Sequence, residues 1–392
     1  MVLYTGNDNS TVEKTAQTKA KGNASMPNWD KYRKPSSTKH LLKQAQHKKV
    51  SLEKLTMFCQ QLSSMLQAGL PLSHALDTIV AEMDDKVFRA ILTDIKEKIF
   101  EGESFSSTVK QYPKTFPPLF AHMIEAGEAA GSLPSAMETL SNYFQASLKL
   151  NKKFKSALTY PIAIISMSFL LVSGLMIWVV PVFGEMFGGF GAKLPWLTQK
   201  MIDTSNLLKE NLIPIALAIT ALIYFIKNFI RTKQGALLVD ILLAHIPIFG
   251  VLSKKTNLAR FCRTYSVLLT NGVPILKSID ICTNVANSYY LTQACGTIKK
   301  GIQEGKQLSA LLESIPYFPK MVCNMARAGE QAGNVENMIR NVAVLYENDV
   351  NNLVGALTSL LEPMIICFLG VVIGFIVVAM FLPIFQLSSL VN

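Results

Sequence analysis

Two stretches of 19 residues without a single charge, 162–180 and 364–382, constrain this chain more than any other feature. At 1.5 Å per residue each would form a helix of about 28 Å, close to the roughly 30 Å of a bilayer's hydrocarbon core. A helix also satisfies its own backbone hydrogen bonds, as lipid requires. The alternative, a buried core helix, fits poorly with so long an uncharged run. Pro161 and Pro181 bracket the first stretch, and Pro363 and Pro383 the second. A third apolar stretch, 212–230, is interrupted by Lys227, which near the end of a span can reach the headgroups. Residues 236–252 are apolar too, but Asp240, His245 and Pro247 interrupt them. That pattern suits a helix lying along the membrane surface. Composition agrees: charged residues make up 17% of the chain, against about a quarter in soluble proteins.

Charge placement gives an orientation. Lys149, Lys152, Lys153 and Lys155 precede the first span, and Lys227, Arg231 and Lys233 follow the second. The segment between them balances Lys193, Lys200 and Lys209 against Glu185, Asp203 and Glu210. Because Lys and Arg accumulate on the cytoplasmic side, the N-terminus reads as cytoplasmic and the C-terminus as external. No apolar run of signal-peptide length opens the chain, so it is expected to begin in the cytoplasm uncleaved. Much of the net charge of +11 sits in residues 1–54, with 11 Lys and Arg against 4 Asp and Glu. It is therefore a property of the tail and no sign of a nucleic-acid-binding fold. Residues 1–47 are polar and basic, a composition expected to stay disordered and to reach anionic lipid or an acidic partner.

The soluble parts repeat one another. Phe58, Leu66, Gly69 and Pro71 recur 203 positions later as Phe261, Leu269, Gly272 and Pro274. Glu101-Gly102, Ser106 and Pro113 likewise recur as Glu304-Gly305, Ser309 and Pro316. After a one-residue deletion the offset becomes 202, and Gly127, Glu128 and Gly131 match Gly329, Glu330 and Gly333. The bracketing prolines keep that offset. One register held so long reads as a duplication. Phe58, Leu62, Met65 and Leu66 lie on one face of a helical period, and Phe261, Tyr265, Leu268 and Leu269 reproduce it. Gly69 and Gly272 suit left-handed helix ends, and Pro71 and Pro274 the start of the next helix.

The expected fold is all-α: a membrane protein with two repeated cytoplasmic helical-bundle modules and three transmembrane helices. It divides into a basic tail (1–50), a first module (51–157) and a first span (158–182). A periplasmic loop (183–211), a second span (212–230) and an interfacial linker (231–255) follow. The second module (256–359), a third span (360–385) and a short periplasmic tail (386–392) complete the chain. The second span has no counterpart in the repeat because it alone returns the chain to the cytoplasm.

These residues, in this order and twice over, resemble the GspF/PilC family of type II secretion and type IV pilus inner-membrane platform proteins. The turns Leu66-Gln67-Ala68-Gly69-Leu70-Pro71-Leu72 and Leu269-Thr270-Asn271-Gly272-Val273-Pro274-Ile275 carry the likeness. So do Ala126-Gly127-Glu128 with Gly131, Ala328-Gly329-Glu330 with Gly333, and Ile246-Pro247-Ile248-Phe249-Gly250. The likeness extends from about Lys48 to the C-terminus. It implies a non-enzymatic scaffold in the bacterial inner membrane, probed from below by a cytoplasmic assembly ATPase. Its other implied partners are pilin or pseudopilin subunits, other inner-membrane assembly proteins and membrane lipid. A homo-oligomer is implied as well, and nucleic acid is not. The alternative class is a small secondary transporter or another polytopic scaffold, against which stand the few spans and their lack of charge.

Catalytic chemistry finds no footing in the sequence. Gly301 to Lys306 has the wrong spacing for a phosphate loop and lacks its Ser or Thr. The five histidines are scattered, the six cysteines show no paired spacing, and no cofactor or metal is expected. Gly370 and Gly374 would permit close helix approach or stand there by chance. For the Ala-Gly-Glu motif two readings stay open. Its small residues let two helices pack closely, or Glu128 and Glu330 meet a partner, with the contact role favoured for Glu330.

Overall fold

The computed structural model describes residues 49–390 except 189–194, 231, 233–234, 236, 240, 243–245 and 286–287. The expectation for residues 1–47 therefore lies outside the described residues. All described secondary structure is helical. The first soluble unit comprises α1 (Leu52–Gln67), α2 (Leu72–Glu82), α3 (Lys86–Phe100), α4 (Phe105–Lys110) and α5 (Pro118–Ala129), ending in the long α6 (Leu133–Gly174). Local chemistry sets the corners. Ser51 caps α1 by accepting the Lys54 N–H, and Asp85 caps α3 by accepting those of Val87 and Phe88 at 2.9 and 3.0 Å. At the end of α1, Gly69 takes φ +84°, which a side chain would oppose, and the Leu70 N–H turns back to the Met65 carbonyl at 3.0 Å. Inside, Phe58, Phe88, Phe116 and Phe120 form a buried aromatic cluster, with ring centroids 4.8 Å apart for Phe116 and Phe120.

The same order follows span 2. Helices α10 (Pro247–Thr270), α11 (Ile275–Val285), α12 (Tyr289–Gln303), α13 (Leu308–Ser314) and α14 (Lys320–Ala332) lead into α15 (Val335–Leu390). The starts of α11, α12 and α13 lie 203 residues after those of α2, α3 and α4; that of α15 lies 202 after that of α6. Both units contribute to one continuous buried core.

Three helical stretches are long and apolar enough to cross a membrane: Leu133–Phe183, Ile213–Ile230 and Val335–Leu382. The middle one falls within α9 (Leu212–Ile230). In the outer two, no break separates module from span. Pro161 lies inside α6 and Pro363 and Pro383 inside α15, so none of them ends a helix. The divisions at 157/158, 359/360 and 385/386 thus fall within continuous helices, and α15 runs to Leu390 in place of a separate tail. Proline is tolerated there because the turns on either side hold the helix. Pro181 does leave a mark. The backbone widens into a π-helical turn over Leu175–Val179, after which α7 (Val180–Gly188) resumes. A residue without an N–H, whose ring crowds the preceding turn, is a local cause for that widening.

Two further expectations are corrected. The boundary at 255/256 falls inside α10, which begins eight residues earlier than its counterpart α1 does in register. The segment 183–211 is no simple loop, because α8 (Trp196–Glu210) fills its second half. One face of α8, with Thr198, Met201 and Ser205, is buried against the outer ends of spans 1 and 3, on Met176, Val180, Ile376 and Ala379. The Thr198 hydroxyl donates to the Ala379 carbonyl at 2.6 Å, and that of Ser205 to the Met176 carbonyl in the π-turn. Charge balance drew attention to this segment, whereas its helical spacing of buried residues was the informative signal.

Candidate functional site

The repeated Ala-Gly-Glu-x-x-Gly segment ends α5 in one unit and α14 in the other, and each of its residues has a geometric task. Gly127 and Gly329 lie where the following long helix crosses. A Cβ on Gly127 would come within 2.6 Å of the Ala136 Cβ, and one on Gly329 within 2.7 Å of the Val335 backbone. Gly131 and Gly333 take φ +63° and +66°, so the chain reverses into α6 and α15 through left-handed turns. There the Ser132 N–H returns to Gly127 O and the Asn334 N–H to Gly329 O, both at 2.8 Å, a helix-ending bond pattern that takes up free carbonyls.

Between those glycines stands the acid. The Glu128 carboxylate accepts the N–H groups of Phe105 and Ser106 at 2.6 and 3.0 Å. The Glu330 carboxylate accepts those of Leu308 and Ser309 at 2.6 and 3.2 Å. These donors open α4 and α13, whose first turns would otherwise leave N–H groups without partners, and a negative charge is favoured at that end of a helix. Both oxygens of each acid are engaged within their own unit. Each carboxylate thus serves as an internal cap, a role that stands beside the contact role favoured for Glu330 and does not decide it.

A second constellation joins the units. Glu125 on α5 meets Lys277 on α11 at 3.0 Å and also holds Lys110 at 3.0 Å and His122 at 3.1 Å. The hydrogen bond from His122, then those from Lys277 and Lys110, hold its carboxyl down at about 2. The Tyr143 hydroxyl on α6 lies 3.1 Å from that of Thr264 on α10. Above this contact a cleft of about 370 Å³ separates the stems, lined by Ser147 and Asn151 of α6 and by Arg260 and Arg263 of α10. Arg263 donates to both carboxylate oxygens of Glu347 on α15, from Nε at 2.8 Å and from Nη2 at 2.5 Å. At the start of the spans, the Tyr160 hydroxyl donates to Glu362 at 3.2 Å. Residues 160 and 362 are equivalent in the repeat, so the stems stand side by side at one height.

This inter-unit contact was missed in the sequence, although one signal was present. Lys110 pairs with Glu125, while the equivalent residues Glu313 and Arg327 pair with the charges exchanged. Of the other expected residues, Gly69 and Gly272 both adopt positive φ, and Pro71 and Pro274 immediately precede α2 and α11. Gly370 and Gly374 face open space, where an added Cβ would meet nothing within 4 Å. Five cysteines are buried and Cys367, in span 3, is exposed.

Comparison with known proteins fits this arrangement. The chain is 33% identical to the type IV pilus assembly protein PilC of Myxococcus xanthus, over 86% of its own length and 81% of that protein. It is also 33% identical to PilC of Pseudomonas aeruginosa, over 88% and 92% of the two chains. Against the type II secretion system protein F of Vibrio cholerae the identity is 28%, over 88% and 84%. The family model described as type II secretion system protein F matches twice, over residues 58–181 and 261–383. Together with three membrane-length helices, these matches identify a multi-pass membrane scaffold protein, and the chain belongs to the type II secretion system protein F family, the GspF/PilC family of inner-membrane platform proteins.

Proposed function

We propose that this protein is the inner-membrane platform of a type IV pilus machine and couples a cytoplasmic assembly ATPase to the insertion of pilin subunits. The continuity of α6 and α15 carries the reading. Each is one helix from the soluble unit into the membrane, so a force applied to a unit below the bilayer is delivered to its span without an intervening hinge. The identity to the pilus assembly proteins, 30–35%, against 26–30% for the secretion proteins, supports a pilus over a secretion pseudopilus.

In this reading the two soluble units are copies of one module, both in the cytoplasm, with the N-terminus inside and the α8 segment and C-terminus in the periplasm. The lysine distribution supports that orientation. Helix α8 then clamps the outer ends of spans 1 and 3, while the Glu125–Lys277 and Arg263–Glu347 pairs hold the inner stems. The basic tail contributes charge toward anionic lipid. Alkaline phosphatase fused after Ser205 is expected to be active and fused after Lys306 inactive; the opposite pair of results would refute the topology. Tagged full-length protein is expected to co-purify a cytoplasmic assembly ATPase from its own host. Loss of that ATPase from the membrane fraction on depletion of the platform would support the coupling, and its retention would count against it.

A further inference from the structure

The two units meet in a one-way fashion. The α5–α6 face of the first packs on the α10–α11 face of the second. Among the described residues, the corresponding α14–α15 and α1–α2 faces make no packing contact of comparable extent with one another. The open positions keep the apolar character that the closed ones use. Leu119 is 1% exposed, whereas its equivalent Met321 is 40% exposed. Tyr143 bonds Thr264 across the contact, while its equivalent Leu345 is 43% exposed. On the other side Ile281 is buried and its counterpart Thr78 exposed, and Met57, the counterpart of Arg260, is 55% exposed.

The charges have changed in concert. On the closed contact, acidic Glu125 faces a surface bearing Arg260, Arg263 and Lys277. On the open faces the acid has become Arg327. The three cations have become Met57, Gln60 and His74, while Val285 has become Glu82. Asp77 remains where Asp280 stands. Arg327 is also paired with Glu313, Asp77 with Lys96 and Arg263 with Glu347, each inside its own unit, so the exchange is one of balance: the acid on one partner has become a cation, while the other partner has lost its cations and gained Glu82.

We propose that the α14–α15 face of one copy binds the α1–α2 face of a second copy, repeating between chains the contact that joins the two units within one. The inference rests on the reading of the units as copies of one module and adds the surface through which copies meet. Such a contact uses different patches on its two partners, so it passes from copy to copy and closes only if the rotation permits. Because equivalent residues of the two stems sit at one height, the rotation runs about an axis along the stems. Successive copies would therefore surround one another in the plane of the membrane.

Two differently tagged full-length copies, one with Leu345→Cys and the other with Gln61→Cys, test this in isolated membranes under mild oxidation. These positions are the interchain equivalents of Tyr143 and Thr264. Cys367→Ser in both copies removes the exposed native thiol. The expected result is a shift from the 43.3 kDa monomer to a species of twice that mass carrying both tags, absent when both copies carry Leu345→Cys. Cross-linking only between like positions would show a two-fold contact and overturn the proposal. Co-purification of the tags without any cross-link would assign the faces to another occupant, such as residues 1–48 or a different protein, and overturn it equally. Tyr143→Cys with Thr264→Cys in one chain, the intrachain pair that the interchain pair reproduces, is the control. If that intrachain pair closes and the interchain pair does not, only this inference fails; if neither closes, the packing of the two units fails with it.

Discussion

Replacing Glu330 with glutamine keeps the shape of the motif and removes its charge, which makes it the most direct test of the capping role. In the structure the carboxylate accepts the Leu308 and Ser309 N–H groups, at 2.6 and 3.2 Å. The amide retains one acceptor oxygen, but its NH₂ group must face the second backbone N–H, donor against donor. One charge-assisted hydrogen bond is lost and one N–H at the start of α13 is left unsatisfied, which costs about 1.5–3 kcal/mol. Glu128→Gln does the same to α4 in the other unit, where the distances are 2.6 and 3.0 Å. The two sites share no partner, so their effects should add, and the double variant loses about 3–6 kcal/mol. That is a large part of the stability of an ordinary domain, about 5–15 kcal/mol.

The assay is limited proteolysis of the full-length protein in detergent, read as the rate at which each unit is cut. Where opening is fast relative to cleavage, the rate follows the population of the open form. Each single variant is then expected to be cut about ten- to a hundredfold faster in its own unit, with the other unit unchanged. Filament assembly is measured beside it and should fall only as far as protein level falls. Parent-like cleavage of Glu330→Gln together with lost assembly would refute the argument, because it would place the important contact of this acid outside the chain.

The remaining expectations concern neighbouring features. Gly329→Ala should destabilise its unit by about 1–3 kcal/mol, and more than Gly127→Ala, because the added methyl meets the Val335 backbone rather than a side-chain methyl; equal protease sensitivity would contradict this. Glu313→Arg and Arg327→Glu should each weaken the surface by no more than about 1 kcal/mol, and the double exchange, which reproduces the polarity of Lys110 and Glu125, should restore it. A double variant no better than the singles would remove the case for a swapped pair. The Glu125 carboxyl is depressed from an ordinary 4.5 to about 2, so its contribution is complete above pH 4.5 and fades as pH falls toward 2. The difference in protease resistance between the parent and Glu125→Gln should therefore be present at neutral pH and shrink across that window, and a difference that grew on acidification would contradict the sign.

Much of the architecture was legible because its causes are local. An uncharged apolar run announces a membrane-length helix wherever it stands, and Gly69 and Gly272 announce a left-handed turn because other residues resist that conformation. Pro161 and Pro363 open the apolar runs without ending the helices. Proline raises the cost of helix locally, but α6 and α15 are held on both sides of Pro161 and Pro363 by module core and apolar span, and the helices run through. The Ala-Gly-Glu motif could be located but not interpreted. Whether Glu330 caps a helix or meets a partner depends on a helix some twenty residues away in sequence, and no periodicity within the motif reports that distance. The face of α8 was legible in principle, since Thr198, Met201 and Ser205 share one side of a helix, but a search for charge passed over it.

The exchanged charges bear on why a platform should carry two units rather than one. Two identical units would present identical faces, and the contact within a chain could not be told from a contact between chains. Here Glu125 selects Lys277 within the chain, while Arg327 at the equivalent place, held by Glu313, would be repelled by a lysine and, in the contact proposed above, would meet a surface with Glu82. Each such exposed pair is worth little in affinity, about 1 kcal/mol or less, yet a like-charge mismatch penalises the wrong partner as well as rewarding the right one. The same division extends upward. Arg263 and Glu347 tie α10 to α15, and Tyr160 meets Glu362 between stems of equal height, so the soluble contact and the span contact belong to the same two helices. A change in how the units lean on one another must then alter how spans 1 and 3 meet, with α8 resisting at the outer end through Thr198 and Ser205. In the function proposed above, the second unit would convert a side-to-side displacement beneath the membrane into a relative displacement of two helices within it, which a single unit on a single span could not do.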